Sequence, residues 1–214
     1  MINLNLETVN IKPITLEERI EFIVNTSYCI LCNKIANGDI EIPNEASMQL
    51  HLGTIMKQLG MLFEYSPKEH FRIEMEAIED ILPTQKSSKG KARCDIKLTL
   101  SEGKKSCKAF VELKYLKKSA NAAVTDNKFF VYCDIENLER YKSKEKNSLC
   151  YEIIYTDNLN YTSNNDTQFC VGDGNLLTAG TYPYTKNRKV QIANNYQFKW
   201  DIFNKDACFM KLKV

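Results

Sequence analysis

The chain has 214 residues, 43% of them hydrophobic, and a formal net charge of +2, a composition typical of a folded soluble domain. No apolar run approaches the length of a membrane span. The first residues, Met1 to Glu7, lack the basic start and apolar block of a signal peptide. We therefore expect an intracellular, cytoplasmic protein with no membrane partner, whose eight cysteines are thiols and not disulfides.

The positive charge is concentrated in one part of the chain. Between Lys86 and Lys118 there are eleven Lys and Arg residues and three acidic ones, so the rest of the chain is acidic. Such a block attracts polyanions and is typical of nucleic-acid binding. A solvated lysine-rich hairpin would give the same pattern, so charge alone favours nucleic acid only weakly.

Two helices are predicted near the N-terminus. An irregular arm ends at Pro13, and Thr15 with Glu18 forms a capping box before apolar residues at helical spacing. Asn37-Gly38 is a suitable stop for this first helix. A second helix begins near Pro43-Asn44-Glu45 and is expected to end at Gly60.

The middle of the chain alternates apolar and other residues in a way that predicts strands. The predicted order is a strand over 71–78, a loop over 83–92, strands over 93–100 and 109–116, a helix over 126–141 and a strand over 149–155. The two strands over 93–100 and 109–116 are joined by a hairpin-like turn at 101–105.

The C-terminal part shows little periodicity. Residues 156–189 are too long for an ordinary connection, so we predict a short strand at Phe169–Val171. A closing strand pair is expected over 196–203 and 208–212. The whole chain, 1–214, is interpreted as one α/β domain, a three-layer α/β/α sandwich around a mixed sheet. It comprises an arm and helix over 1–43, a core over 44–155 and a loop-rich part over 156–214.

Asp95, Glu112 and Lys114 are the strongest candidates for a functional site. Side chains alternate between the faces of a strand, so Glu112 and Lys114 share one face. Asp95 lies on the neighbouring strand, opposite in direction to Cys94, Ile96, Leu98 and Leu100. Carboxylates beside an ammonium are suited to holding Mg²⁺ against a phosphate.

A structural interpretation competes with this one. Glu112 and Lys114 alone would be an ordinary exposed pair, which contributes little to stability. Apolar neighbours on both faces of the strand, however, indicate burial on both sides, and buried charges need partners or a metal. Glu45 faces inward from the start of the second helix and is a third carboxylate, although helix capping explains it equally well. Glu74 or Glu76 are alternatives for that position.

This arrangement resembles the PD-(D/E)xK, or restriction-endonuclease-like, nuclease superfamily. The shared features are a helix carrying Glu45, Asp95 on one strand, Glu112-x-Lys114 on the next, and a following helix and strand. The resemblance extends from Glu45 to Tyr155, which makes 44–155 a nuclease-like core. The proline that precedes the aspartate in the family is Cys94 here.

The resemblance implies a catalytic set of Glu45, Asp95, Glu112 and Lys114. Asp95, Glu112 and the backbone carbonyl of Leu113 would ligate Mg²⁺, or Mn²⁺ in its place, with Glu45 completing the site. Lys114 would position the attacking water or help to deprotonate it, and would offset charge on the phosphoryl oxygens. The implied enzyme is a hydrolase of phosphodiester bonds in DNA, an endonuclease of the restriction, repair or phage type.

The resemblance also implies contacts with nucleic acid and with a second copy of the chain. Six basic residues of the positive block are assigned to DNA binding: Lys89, Lys91, Arg93, Lys97, Lys117 and Lys118. Many members of the superfamily cut both strands as dimers, so a homodimer is one expectation, although no dimer interface can be identified in the sequence.

Two other functions stay open. The first is a catalytically inactive nuclease fold that binds or regulates, because fold does not fix function. The second is a protein-interaction factor whose basic hairpin contacts an acidic partner. Cys29-x-x-Cys32 has the spacing of a redox or zinc pair, but no second pair follows and core packing explains it better.

Overall fold

The computed structural model describes residues 15–118, 124–164 and 169–214, so the arm before Thr15 lies outside the described residues. The helices are α1 (Leu16–Ala36), α2 (Glu45–Leu62) and α3 (Val124–Lys144). The strands are β1 (Glu69–Asp80), β2 (Lys91–Glu102), β3 (Lys105–Leu116), β4 (Leu149–Thr156), β5 (Leu176–Leu177), β6 (Gly180–Thr185), β7 (Arg188–Ile192), β8 (Tyr196–Gln197), β9 (Trp200–Asn204) and β10 (Ala207–Lys213). A short 3-10 helix covers Leu159–Thr162.

The beginning of α1 is fixed by local hydrogen bonds. The Thr15 hydroxyl accepts a hydrogen bond from the Glu18 amide, and the Glu18 carboxylate accepts one from the Thr15 amide. This confirms the predicted capping box. The helix ends at Ala36, directly before Asn37 and a left-handed Gly38 with φ 78°, as expected for a glycine stop.

Helix α2 begins as predicted and packs closely against the first strand. The Asn44 side chain caps it by accepting from the Ser47 amide. The helix continues to Leu62, two residues past the stop predicted at Gly60. Gly60 does not end the helix; it lies inside it, facing the Phe71 ring of β1. A side chain at position 60 would overlap that ring, so the glycine permits close approach.

Six strands form one mixed sheet in the order β1-β2-β3-β4-β10-β9. Strands β3 and β4 are parallel, and the other neighbours are antiparallel. A parallel pair needs a long crossover, which α3 provides. The predicted strands of the middle of the chain and the hairpin between β2 and β3 are thereby confirmed.

Helices cover both faces of this sheet. On one face, α1 and α2 pack against Ile96, Leu98, Val111 and Ile153, among others. On the other face, α3 packs against a second group of apolar side chains, with the β6–β7 hairpin beside it. The mixed α/β fold around a mixed sheet is confirmed. Among the described residues, no helix combines the length and the apolar character needed to cross a membrane.

The C-terminal part differs from its prediction, and the short strands β5, β6 and β7 were not predicted. Phe169 to Val171 form no strand, although all three side chains are buried. Their apolar character reflects packing beside α3, where the Phe129 and Tyr132 rings contact Phe169. The predicted closing strand pair is present as β9 and β10, but its first strand begins at Trp200, because Tyr196–Gln197 form β8, which pairs with β5 in a separate sheet.

Candidate functional site

The site lies where β2 separates from β3. Regular pairing of these strands ends at Ile96 and Val111. Beyond that point the Asp95 carboxylate accepts a hydrogen bond from the Leu113 amide, with Oδ2 and N 2.7 Å apart. On the other side of β2, Glu76 of β1 has φ 54°, a left-handed conformation that non-glycine residues seldom adopt. Backbone strain of this kind is concentrated at functional sites.

Where the strands separate, the buried side chains of β2 change from one face of the sheet to the other. Ile96 and Leu98 pack against α1 and α2, whereas Cys94 packs with Phe110 and Tyr141 on the α3 side. The prediction that Cys94 shares a face with Ile96 is therefore wrong. Strict alternation fails because the strand is distorted beside Asp95, where it follows β1 and no longer pairs with β3.

Glu45 reaches the same place from the start of α2. Its Oε2 accepts a hydrogen bond from the Tyr115 amide over 3.1 Å and lies 3.5 Å from the Lys114 ammonium. Asp95 and Glu45 thus accept hydrogen bonds from two β3 amides, those of Leu113 and Tyr115. The N–H and C=O of one strand residue point to the same side, so the Leu113 carbonyl also points towards β2.

A small cleft opens between α2 and the strands β1 and β2. Its volume is about 160 Å³, and its lining includes the carboxylates of Glu45, Glu76 and Asp95. Gln49 of α2 spans the cleft, donating to the Asp95 carbonyl over 2.6 Å and to the Glu76 carboxylate over 3.0 Å. Three acidic side chains from three elements therefore face one opening.

Glu112 and Lys114 lie on the α3 face of β3, as the alternation predicts. Glu112 is completely buried, and its Oε1 accepts a hydrogen bond from the Tyr141 hydroxyl over 3.1 Å. The Lys114 ammonium is 3.2 Å from Asp134 Oδ2 of α3. Lys114 therefore bridges the open cleft, through Glu45, and the buried side of the sheet, through Asp134.

Four residues of this cluster were not predicted from the sequence: Lys86, Asp134, Tyr141 and Glu152. Lys86 contacts Asp134 and lies 3.5 Å from Glu112 Oε2. Glu152 of β4 is paired in register with Glu112 and is completely buried. A single charge within the apolar sequence of β4 was the signal that could have identified Glu152, because such a charge requires compensation.

Acidic groups outnumber ammonium groups in the cluster. Asp95, Glu112, Asp134 and Glu152 share Lys86 and Lys114, and Glu45 adds a further carboxylate at the rim. Buried oxygens of three side chains accept no hydrogen bond from described residues: Glu112 Oε2, Asp134 Oδ2 and both oxygens of Glu152. The cluster therefore favours uptake of protons or of a cation.

Burial and mutual repulsion change the acidities. Burial raises the pKa of Asp95 to about 6, against the opposing effect of the hydrogen bond from Leu113. Burial also raises the pKa of Glu112 and of Glu152 well above the ordinary value, with nearby Asp134 adding repulsion. Burial alone would lower the pKa of Lys86, but Asp134 and Glu112 raise it above its ordinary value.

The oxygen atoms of the cluster are chemically suited to a hard divalent cation. Carboxylate oxygens and a backbone carbonyl are the ligands that Mg²⁺ and Mn²⁺ prefer, and an excess of buried carboxylates is available. In residues 15–118, 124–164 and 169–214, however, no group of three or more His, Cys, Asp or Glu side chains is arranged to hold a metal ion. Lys86 and Lys114 are the groups that stand between the carboxylates.

The basic residues assigned to DNA binding differ in their exposure and in whether they already pair with an acidic residue. Lys97 lies 2.6 Å from Glu79 and 3.6 Å from Glu74, and its side chain is only 16% exposed. Lys89 and Lys91 are exposed, at the start of β2 and before it. Arg93 and Lys118 are exposed and form weak pairs, at 3.5 Å with Glu76 and at 3.8 Å with Asp206, and Lys117 lies over the Tyr115 ring.

The cysteines agree with the prediction of thiols. All eight are free, and seven of them are buried. Cys32 belongs to the core between α1 and the sheet, whereas Cys29 is exposed one turn earlier. Core packing accounts for Cys32, as expected, but the same prediction was wrong for Cys29, which is exposed.

The fold and the site define a mixed α/β protein with a carboxylate-rich cluster at a separation of two strands. No protein-family model, no curated protein and no solved structure matches this chain. An activity must therefore be inferred from the chemistry of the clustered residues.

Proposed function

We propose that the chain is a metal-dependent nuclease of the PD-(D/E)xK type that hydrolyses phosphodiester bonds in DNA. The observation that carries this proposal is the meeting of Asp95, Glu45 and Lys114 at the separation of β2 from β3. These residues come from three elements, and two of them, Glu45 and Asp95, line a cleft. The restriction-endonuclease-like core belongs to the same proposal.

Asp95 and Glu112, with the Leu113 carbonyl and Glu45, are the groups that would hold the divalent cation. When bound, the cation supplies Lewis acidity to the phosphate and lowers the pKa of water. Asp95 Oδ2 is engaged by the Leu113 amide, so that hydrogen bond orients the carboxylate. Tyr141 orients Glu112 in the same way, through its hydroxyl.

Lys114 acts in this scheme as a fixed positive charge. Burial alone would lower the pKa of Lys114, but Asp134 and Glu45 beside it raise the pKa above its ordinary value. The ammonium is therefore protonated at neutral pH. That state suits stabilisation of charge on the phosphoryl oxygens, and it favours this role over removal of a proton from water.

The test is cleavage of a panel of DNA and RNA substrates with Mg²⁺ or Mn²⁺. We expect wild-type protein and Lys205→Met to cut DNA equally, because Lys205 is exposed in the β9–β10 turn. Lys114→Met and Glu112→Gln should reduce the rate by a factor of about 10² or more. Equal cleavage by all four proteins, or no cleavage by wild type, would reject the nuclease assignment.

One observation favours a second candidate function, a nuclease fold that binds without cutting. The ammonium groups of Lys86 and Lys114 already pair with Glu112, Asp134 and Glu45. Such a network can stabilise a fold without a metal. A non-catalytic module should retain DNA in the presence of a chelator, with affinity that falls steeply with salt, and should leave the DNA intact when Mg²⁺ is added.

A further inference from the structure

Lys86 reaches the buried carboxylates from a connection that is attached to α3. The connection between β1 and β2 contacts α3 at two places: the Thr84 hydroxyl donates to Asn137 over 2.6 Å, and the Gln85 amide donates to Glu136 over 3.3 Å. The next residue is Lys86. Its position is therefore fixed by neighbouring backbone and side-chain contacts.

The Lys86 side chain ends among groups that otherwise lack enough positive charge. Its ammonium contacts Asp134 Oδ1 and lies 3.5 Å from Glu112 Oε2, and both carboxylates are completely buried. Besides Lys86, Asp134 pairs with the Lys114 ammonium, which also pairs with Glu45. Removing Lys86 would leave the carboxylates of Glu112, Asp134 and Glu45 near one ammonium, that of Lys114.

We propose that Lys86 is an internal counter-cation, which occupies the position a divalent cation would otherwise take between Glu112 and Asp134. The inference rests on the proposed function, since it concerns cation binding by the same carboxylates. It implies that the site takes one divalent cation, held by Asp95 and Glu112, while Lys86 neutralises the space between Glu112 and Asp134. Lys86 thereby sets the number and affinity of bound cations.

The experiment measures Mn²⁺ binding to the full chain by titration calorimetry and by electron paramagnetic resonance of free Mn²⁺. Lys86→Met removes the charge and keeps an apolar stem, Lys86→Arg keeps the charge, and Lys205→Met controls for loss of any surface lysine. We expect Lys86→Met to bind Mn²⁺ about tenfold more tightly than wild type, or to bind one additional ion. The other two variants should bind as wild type does.

The opposite results would overturn the inference. They are Mn²⁺ binding by Lys86→Met that is unchanged, weaker or undetectable, or equal gains in Lys86→Met and Lys86→Arg. Should Lys86→Met fail to fold, refolding with Mn²⁺ should restore the helical circular dichroism, and NaCl at equal ionic strength should not. Failure of Mn²⁺ to restore folding would also reject the counter-cation role.

This readout is independent of cleavage. Tighter Mn²⁺ binding by Lys86→Met in a protein that cuts no substrate would support the counter-cation and reject the nuclease. Cleavage by wild type, together with unchanged Mn²⁺ binding in Lys86→Met, would support the nuclease and reject the counter-cation.

Discussion

The Asp95 carboxylate of β2 accepts a hydrogen bond from the Leu113 amide of β3 over 2.7 Å, beyond the last regular pair of the two strands. A side chain thus replaces a backbone partner, which keeps β3 satisfied while the strands separate. The same exchange recurs two residues later, where Glu45 accepts from Tyr115. The placement of Asp95 and Glu45 at the cleft therefore has one structural cause.

The first prediction concerns the charge of Asp95. Asparagine can accept the Leu113 hydrogen bond but carries no charge, so Asp95→Asn should keep its fold and cut DNA about 10² times more slowly. Since burial raises the pKa of Asp95 to about 6, wild-type cleavage should reach half of its maximum near pH 6 and level off about one pH unit higher. The measurement is cleavage rate against pH, with urea denaturation as the control for folding. A rate equal to wild type at pH 7 would contradict the role of Asp95.

The second prediction separates the charge of Glu45 from its hydrogen bond. Glu45→Gln still offers an acceptor to the Tyr115 amide but no longer contributes charge at the cleft. We expect Mn²⁺ affinity to fall by about tenfold, measured by calorimetry. Glu41→Gln is the matched control, because Glu41 is exposed just before the same helix. Equal affinities for the two variants would remove Glu45 from the cation site.

The third prediction concerns a buried ion pair away from the cleft. Arg19 donates two hydrogen bonds to Glu69, at 2.8 and 2.9 Å, and both side chains are more than 90% buried. Hydrogen bonding from Arg19 lowers the pKa of Glu69 to about 2. The stabilisation is therefore complete above the ordinary value of 4.5 and is lost as pH falls towards 2.

Glu69→Gln leaves Arg19 buried without its countercharge, so it should cost about 3 kcal/mol of unfolding free energy at pH 7. The difference from wild type should shrink below pH 4 and disappear near pH 2. Urea denaturation at pH 7, 4 and 2.5 provides the measurement. A difference that stays constant with pH would show that the pair contributes through packing and not through charge.

Local signals predicted the fold where local contacts determine it. The capping box of Thr15 and Glu18 fixes the start of α1, and alternation identified β2 and β3 as neighbouring strands. The strand predicted at Phe169 was wrong because its burial comes from rings of α3, which lie far away in sequence. Burial alone does not distinguish a strand from an irregular segment under a helix.

The candidate site residues could likewise be predicted only where local sequence patterns place them. Spacing on two strands identified Asp95, Glu112 and Lys114, since neighbouring strands are read directly from alternation. Asp134 escaped prediction because its role depends on how α3 crosses the sheet, and that crossing is a tertiary property. Lys86 escaped because a connection between strands carries it, and its path over α3 is not encoded in periodicity.

The fourth prediction concerns the packing of α2 on β1. A methyl group at position 60 would overlap the Phe71 ring, whereas one at position 53 would meet the flexible end of Met75. Gly60→Ala should therefore cost about 1–3 kcal/mol, and Gly53→Ala should cost less because a thioether end can move. The midpoints of urea denaturation test this order. Equal midpoints for the two variants would show that the Phe71 ring moves aside.

The fifth prediction concerns Glu152, whose buried carboxylate accepts no hydrogen bond among the described residues. Burial raises the pKa of Glu152 well above 4.5, so the folded chain keeps a proton that the unfolded chain loses as pH rises. Native stability therefore falls with pH above about 4.5 on account of this group. Glu152→Gln removes that cost while keeping the shape of the side chain.

The variant should match wild type near pH 4 and exceed it at pH 7 by about 1 kcal/mol or more of unfolding free energy. Asp95 and Glu112 titrate in both proteins, so the difference between the two proteins reports Glu152 together with its repulsion with Glu112. Urea denaturation at both pH values measures it, and Mn²⁺ titration of the same samples shows whether the carboxylate also attracts a cation. A lower stability of Glu152→Gln at pH 7 would mean that the carboxylate is ionised and that Lys114 and Lys86 stabilise its charge.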